Sequence, residues 1–216
     1  VMVLPFVSSF GVGDLPPLAF GNDNQNANVV FNQIQGINEG DWVLVGMEYG
    51  PTGAGELDSI TEILLRHILA QGGKPIIVSS NPVAIVHAQN IVTDINKSVN
   101  AAGLSLQLNR DYYIARYLSG GTLGLRDLSQ NFSSVVAIDA KGNPTNLSVT
   151  SLDDMALMIV IAENSEDIRN WAEQIVPSTT TRLIAATGYA AQPLAEPYVN
   201  QTDGIAGLMV GYRDAF

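Results

Sequence analysis

The sequence contains no cysteine. Disulfides, thiolate zinc sites, iron–sulfur clusters and cysteine nucleophiles are therefore excluded together. The chain also lacks any stretch that is long and apolar enough to span a bilayer. Hydrophobic residues nevertheless make up 46% of its 216 residues, close to the average of globular domains. We therefore expect a folded chain with a sizeable core rather than a disordered one.

Charged residues are scarce at 14%, against about 25% in typical globular proteins. Lys and Arg together number 10 and Asp and Glu together number 21, which gives a net charge of −11. The cationic residues form no cluster along the chain, whereas a nucleic-acid binder needs several of them on one surface. We predict that nucleic acid is not a partner, and the same deficit argues against direct binding to an anionic membrane surface.

Neutral polar residues take the place of the missing charges, as in the Asn- and Gln-rich run at residues 22–26. Such a surface is common outside the cytoplasm, and a cysteine-free chain fits an oxidising compartment. The chain begins with the apolar segment 1–7 and no basic region before it. We interpret it as a fragment whose signal peptide or membrane anchor lies upstream, with a buried N-terminal strand or arm as the alternative. Any membrane contact is then expected only through a segment outside the printed sequence.

Apolar runs without alternation recur along the chain and are typical of strands covered on both faces of a parallel sheet. Segments with helical periodicity separate them. This alternation predicts an α/β fold of three layers, doubly wound around a mostly parallel sheet, Rossmann-like or flavodoxin-like. A single domain at residues 26–216 follows an irregular arm at residues 1–25. The predicted strands are residues 42–47, 75–78, 113–118, 135–138, 155–162, 183–186 and 205–210. The predicted helices are residues 28–38, 56–71, 82–101, 122–132, 164–176 and 189–199, the last interrupted by Pro193 and Pro197.

Ligands of doubly wound sheets bind beyond the carboxyl ends of the strands, where the strand order reverses. If the order starts 2-1-3, that crevice lies between the segments 48–55 and 119–122. Glycines in both segments allow the protein backbone to approach a ligand closely, and we expect two tyrosines to line the opening. The predicted ligand-binding residues are Tyr49, Gly53, Tyr117, Ser119, Gly120, Gly121 and Thr122.

Both segments contain glycines, as nucleotide-binding loops do. The first segment has the spacing G-x-x-G-x-G rather than G-x-G-x-x-G, and its predicted helix starts with Glu56 and Asp58, which would repel a pyrophosphate. An acidic helix cap is the favoured interpretation there. The segment 119–122 has no acidic residue before Asp127 and suits an anion or a sugar-like ligand. An ordinary βα turn is the alternative.

Two carboxylates, Glu48 and Glu163, each follow a strongly apolar strand. If one strand separates theirs, the backbones lie roughly 9–10 Å apart, twice the strand spacing. The two side chains would then flank a substrate for acid–base chemistry or share a hard cation with Asn164. The favoured interpretation is that these carboxylates cap adjacent helix N-termini. His67 and His87 have no partner at metal-ligand spacing, and the chain contains neither a G-x-S-x-G elbow nor a Walker A motif. We predict no metal site and no cofactor.

Three stretches resemble uncharacterised extracytoplasmic α/β domains of bacterial membrane proteins: residues 56–58 with the following helix, residues 117–126, and residues 203–211. This resemblance implies a fold and a location outside the cytoplasm, and it implies no activity. The favoured function is a non-catalytic domain that binds a protein or a small polar ligand. The alternatives are an enzyme that acts on a polar small molecule or glycan through Glu48 and Glu163, and a nucleotide-binding fold with its phosphate at residues 119–122.

Overall fold

The computed structural model describes residues 25–101, 103, 105–199, 204–211 and 214. The predicted N-terminal arm lies outside the described residues up to residue 24. In the described part, six parallel strands form one sheet in the order β3-β2-β1-β4-β5-β6. Along the chain these strands are β1 (Trp42–Glu48), β2 (Lys74–Val78), β3 (Tyr113–Ile114), β4 (Met155–Ala162), β5 (Leu183–Thr187) and β6 (Ile205–Val210).

Helices cover both faces of this sheet. They are α1 (Gln25–Gln35), α2 (Pro51–Ala70), α3 (Pro82–Ala101), α4 (Thr122–Gln130), α5 (Phe132–Val135), α6 (Ser165–Gln174) and α7 (Gln192–Ala195), with 3-10 turns at Leu152–Asp154, Val176–Ser178 and Glu196–Tyr198. The prediction of a three-layer, Rossmann-like α/β fold is confirmed.

The central strand β1 divides the core into two halves because its successive side chains point to opposite faces. Val43, Val45 and Met47 pack with residues of α1, α2 and α3. Leu44 packs in the other half, with residues of α4, α5, α6 and α7. Helices that follow β1 and β2 therefore cover one face, and helices that follow β4 and β5 cover the other. This separation is the consequence of right-handed crossovers that run outward in both directions from β1 and β4.

Several predicted boundaries are wrong for local reasons. Helix α2 begins at Pro51 rather than at residue 56, because proline is suited to the first helical position and Gly50 serves as the N-cap. The predicted strand 113–118 contains only two ladder residues, since Ala115 turns to pair with Asp139 in an antiparallel bridge. The predicted edge strand 135–138 is absent: its first residue ends α5, and Ile138 forms only an isolated bridge with Pro144.

The predicted helix 189–199 is interrupted, as its two prolines indicate, but it begins later than predicted, at Gln192. The structure has a four-residue helix, α7, followed by the 3-10 turn Glu196–Tyr198. Pro193 and Pro197 each lie at the start of one of these two elements, where the missing N–H costs no hydrogen bond. Two prolines four residues apart therefore divide this segment into two short turns.

Gly46 of β1 lies directly beneath the indole of Trp171, which is fully buried. A Cβ at position 46 would overlap the indole ring, so glycine is the residue that lets this large ring lie flat against the sheet. The contact joins α6 to the centre of the sheet. It also brings the indole N–H to the carboxyl end of β1.

We expect the substitution Gly46→Ala to lower the free energy of unfolding by about 3 kcal/mol, because the ring has no free space into which to move. Urea denaturation followed by circular dichroism measures this change. Gly55→Ala is the matched control, because a Cβ there meets nothing within 4 Å. In the interior of α2 that control should raise stability by about 0.5–1 kcal/mol. Equal effects of the two substitutions would contradict the proposed role of the Gly46–Trp171 contact.

Candidate functional site

The strand order reverses between β1 and β4, which are direct neighbours in the sheet. The conditional order 2-1-3 is wrong, because β2 lies between β1 and β3. A short β3 pairs only with β2 and so occupies the edge of the sheet. The position at which this fold class binds ligands is therefore at the ends of β1 and β4, near Glu48 and Glu163.

Glu48 is buried at the end of β1, with 3% of its surface exposed. Its carboxylate accepts hydrogen bonds from the backbone N–H of Ser80 at 3.1 and 3.2 Å and from the Ser80 hydroxyl at 2.7 Å. It also accepts one from Nε1 of Trp171 at 3.1 Å. The Ser80 turn precedes α3 on one face of the sheet, and Trp171 belongs to α6 on the other face. Glu48 thus connects elements of both helical layers.

Burial raises the pKa of Glu48 to about 7, because the charged form loses its hydration. The hydrogen bonds from Ser80 and Trp171 oppose this rise, and the nearby carboxylate of Asp167 adds to it. Among the described residues, no lysine, arginine or histidine forms an ion pair with Glu48. A buried carboxyl group that titrates near neutral pH at a strand end has the physical character of a functional group.

Glu163 follows β4, and its side chain lies at the N-terminus of α2. Its Oε1 accepts a hydrogen bond from the backbone N–H of Gly50 at 3.2 Å. A Cβ on Gly53 would lie 2.7 Å from Oε2 of Glu163, so the glycine makes room for this carboxylate. A dinucleotide fold places a pyrophosphate at the corresponding helix N-terminus. Here the negative charge is supplied by the chain itself, and a phosphate at that place would meet electrostatic repulsion.

The expectation that Glu56 and Asp58 form the acidic start of this helix is wrong. Because α2 begins at Pro51, both residues lie beyond the first turn, which contains no acidic residue. The carboxylate at the helix N-terminus comes instead from Glu163, which is 113 residues away from Gly50 in the chain. Sequence periodicity carries no signal for such a long-range cap.

The expected spacing of the two strand-end carboxylates is also wrong. Glu48 pairs with Ala162, and the N–H of Glu163 donates to the carbonyl of Glu48 at 3.2 Å. Their strands are adjacent, at one spacing of about 4.8 Å rather than two. The side chains nevertheless diverge, because Glu48 turns to Trp171 on one face and Glu163 to Gly50 and Gly53 on the other.

Tyr49 does not line an opening, contrary to the expectation, because its side chain is completely buried against α2. Its hydroxyl donates to Oδ1 of Asp58 at 3.0 Å and lies 2.9 Å from the hydroxyl of Thr61. The other oxygen of Asp58 lies 3.2 Å from Nδ1 of His87 in α3. This Tyr49–Asp58–His87 cluster joins β1, α2 and α3. It escaped sequence reasoning because its members lie on three separate elements.

The turn at Ser79 and Ser80 fills the space expected between β1 and the segment 119–122. The Ser79 hydroxyl donates to the carbonyl of Met47. The carbonyl of Ser79 accepts a hydrogen bond from the N–H of Leu118 at 2.8 Å. The segment 119–122 therefore begins two strands away from Glu48, on the outer side of this turn.

The other predicted ligand-binding residues lie at the surface. Ser119, Gly120, Gly121 and Thr122 are exposed, and both glycines have positive φ, 95° at Gly120 and 54° at Gly121. These angles form a tight turn into α4 that favours glycine at both positions. Tyr117 is partly exposed beside them. The ligand-binding role of these five residues stays a prediction.

An open depression of about 360 Å³ lies at the carboxyl ends of β4 and β5. Carboxylates, an amide, a hydroxyl and two alanines line it: Glu163, Asn164, Ser165, Glu166, Asp167, Ala190 and Ala191. Burial raises the pKa of Asp167, and the carboxylates of Glu166 and Glu163 add to the rise. Within the described part of the chain, no group of three or more carboxylate or imidazole side chains is placed to hold a metal ion.

Large apolar side chains are exposed around this edge of the sheet. Leu123 at the start of α4 is 72% exposed and Leu194 in α7 is 66% exposed. Others follow β2, β3 and β5 at the same edge. We call this set the carboxyl-edge surface; it comprises Val83, Val86, Tyr117, Leu123, Tyr189 and Leu194. All six follow strands at the same edge of the sheet, which makes them candidates for an interaction surface.

Comparisons of the chain with protein-family models, with curated proteins and with solved structures found no significant match. The assignment of the fold class therefore rests on the strand order and the two helical layers. Of the helices in the described ranges, none combines the length and hydropathy needed to cross a membrane.

The raised pKa of Glu48 predicts that stability falls as pH rises. The folded state holds this proton with a pKa of about 7, whereas the ordinary pKa of a glutamate is 4.5. The stabilisation is complete below the lower value and is lost as pH rises through the upper one. A difference of this size corresponds to about 3 kcal/mol. The free energy of unfolding of Glu48→Gln, minus that of the unaltered chain, should therefore rise by about 3 kcal/mol between pH 4 and pH 8.

Urea titrations at several pH values measure this difference. Glu163→Gln is the control, because it removes a neighbouring strand-end carboxylate that makes no side-chain hydrogen bond to Glu48. It should retain the slope that Glu48 produces. Parallel stability curves for Glu48→Gln and the unaltered chain would show that Glu48 does not carry the pH dependence.

Proposed function

We propose that this chain is a non-catalytic interaction domain of a membrane-anchored, extracytoplasmic bacterial protein. Its carboxyl-edge surface binds a protein partner. One observation carries the proposal: the chain's own side chains fill the ligand position of this fold class, while the edge around that position exposes large apolar groups.

The switch point, where the strand order reverses between β1 and β4, is closed by the chain's own side chains. This closure supports binding of a macromolecule rather than a small ligand. Trp171 covers β1, Glu48 is enclosed by Ser80 and Trp171, and Glu163 takes the helix N-terminus. Pockets for small molecules are concave and bury most of the ligand. The depression at the ends of β4 and β5 is open, and its lining includes two alanines. A partner that lies across this edge would not need a deep pocket.

The apolar side chains supply the binding energy in this proposal. Leu123 and Leu194 lie near the two ends of the edge, one after β3 and the other after β5. Each square ångström of apolar surface that a partner covers contributes about 25 cal/mol. Tyr117 and Tyr189 add aromatic rings with a polar hydroxyl, a residue type that is frequent at the centres of interfaces.

The charge of the surface indicates the chemistry of the partner. Glu163, Glu166 and Asp167 lie between the apolar groups, and the whole chain carries a net charge of −11. A partner with lysine or arginine beside apolar residues would meet complementary charge, whereas a second copy of this chain would meet repulsion. The proposed partner is therefore a basic, partly apolar protein segment.

The proposed location rests on composition and on the resemblance to extracytoplasmic domains. The absence of cysteine and the low content of charged residues fit an oxidising compartment with a neutral polar surface. In this proposal the membrane anchor belongs to a segment outside the printed sequence. The domain itself contacts the partner and not the lipid.

Two matched peptides test the surface: one alternates leucine with lysine and the other replaces every lysine with glutamate. We expect the lysine peptide alone to bind, with NMR signals of Leu123 and Leu194 among those that shift. The double substitution Leu123→Ser and Leu194→Ser should weaken binding at least tenfold, because two exposed apolar contacts are lost. Fluorescence anisotropy measures the affinities.

Ala70→Ser is the control for this experiment. Ala70 is an exposed apolar residue in the last turn of α2, at the opposite edge of the sheet. This variant should bind the lysine peptide as tightly as the unaltered chain. Absence of binding, equal binding of the two peptides, or equal weakening by the control would overturn the proposal.

A further inference from the structure

Glu48 is the only side chain that hydrogen-bonds both the turn before α3 and helix α6 among the described contacts at the switch point. Ser80 leads directly into Asn81, whose Oδ1 accepts the N–H of Val83 at 3.0 Å. Val83 belongs to the carboxyl-edge surface. On the other side, the first turn of α6 lines the acidic depression. A change at Glu48 therefore acts through direct hydrogen bonds on the turn before α3 and on Trp171 of α6, and both elements lead to the carboxyl edge of the sheet.

The hydrogen bonds at Glu48 fit its ionised form. The Ser80 N–H and the Trp171 Nε1–H are donors that cannot accept. Only the Ser80 hydroxyl, 2.7 Å from Oε2, can reverse its role and accept a hydrogen bond from the protonated carboxyl group. Protonation thus reverses one hydrogen bond and changes the other bonds from charge-assisted to neutral, which makes them weaker.

The charged groups around Glu48 are acidic. Asp167, in the first turn of α6, raises its pKa through repulsion. Glu163, at the end of β4, directs its carboxylate toward α2 and Gly50. From the turn before α3, the facing groups are the neutral Ser80 side chain and backbone. No cation among the described residues pairs with Glu48, so a proton is the available means of neutralising it.

We propose that Glu48 is a proton-operated connection: its protonation state sets the strength of the hydrogen bonds that hold the Ser80 turn and helix α6 at the carboxyl edge of the sheet. The ionised form holds both through charge-assisted hydrogen bonds, and the protonated form releases part of that hold. As a means of regulating partner binding this rests on the proposed function. As a property of the folded chain it does not.

Global stability and this local connection change in opposite directions with pH. Ionisation lowers the free energy of unfolding, because a charge becomes buried. It strengthens the individual hydrogen bonds from Ser80 and Trp171, because their acceptor becomes charged. A general loosening of the fold would weaken both together, so the opposite signs distinguish a specific connection.

Two-dimensional NMR of the chain between pH 5.5 and 8.5 tests the proposal. The chain has two tryptophans, and only Trp171 donates to Glu48. We expect the Trp171 indole signal to follow a sigmoidal curve with a midpoint near pH 7, while the Trp42 indole signal shifts little. The Ser80 amide should exchange about fivefold more slowly above the midpoint, after correction for intrinsic exchange, because its acceptor is charged.

Four variants assign the titration. Glu48→Gln should abolish it, and Glu163→Gln should leave it in place. Asp167→Asn should lower the midpoint by removing repulsion, and Ser80→Ala should raise it by removing a hydrogen bond that favours the charged form. The last two variants keep the test decisive if Glu48→Gln folds poorly. A Trp171 signal that does not titrate, or a midpoint that neither Asp167→Asn nor Ser80→Ala moves, overturns the proposal.

These outcomes are separable from those of the peptide experiment. If the chain binds the lysine peptide but the Trp171 signal does not titrate, the proposed interaction surface is supported and the proton-operated connection is overturned. If the Trp171 signal titrates as expected but the chain binds neither peptide, the proton-operated connection is supported and the proposed partner is overturned.

Discussion

The packing of Trp171 onto Gly46 is the constraint on which the centre of this molecule depends. It places an indole N–H at the end of β1, where Glu48 accepts it. That hydrogen bond in turn keeps a carboxyl group in the core, because without donors the burial of its charged form would be too costly. The same ring covers the strand where the order of the sheet reverses. Packing, electrostatics and closure of the switch point thus have one origin.

The fold class was predictable because the strands β1, β2, β4, β5 and β6 are continuous apolar runs with helical segments between them. The strand order was not, since it depends on which edges pair. Nothing in the local sequence of Tyr113–Ile114 shows that it pairs with β2 alone. Likewise, Gly53 and Gly55 suggested a loop, whereas Pro51 begins a helix that includes both glycines.

The candidate site was predictable in its residues and not in its geometry. Glu48 and Glu163 stand out in the sequence as carboxylates at the ends of apolar strands. Their directions depend on the register of β1 against β4 and on contacts with residues 113 and 123 positions away. The Asp58–His87 pair escaped notice for the same reason, because its two helices meet only in the folded chain. Long-range contacts of this kind leave no periodic signal.

A Rossmann-like topology supplies a helix N-terminus at the switch point, and the unpaired N–H groups there require an acceptor. Nucleotide-binding members of this architecture leave that acceptor to the ligand. In this chain Glu163 fills the position permanently, and Gly53 provides the space for its side chain. The Glu163 carboxylate thus complements the dipole of this helix N-terminus without a bound ligand. The exposed groups around this position are the apolar side chains of the carboxyl-edge surface and the acidic side chains of the depression.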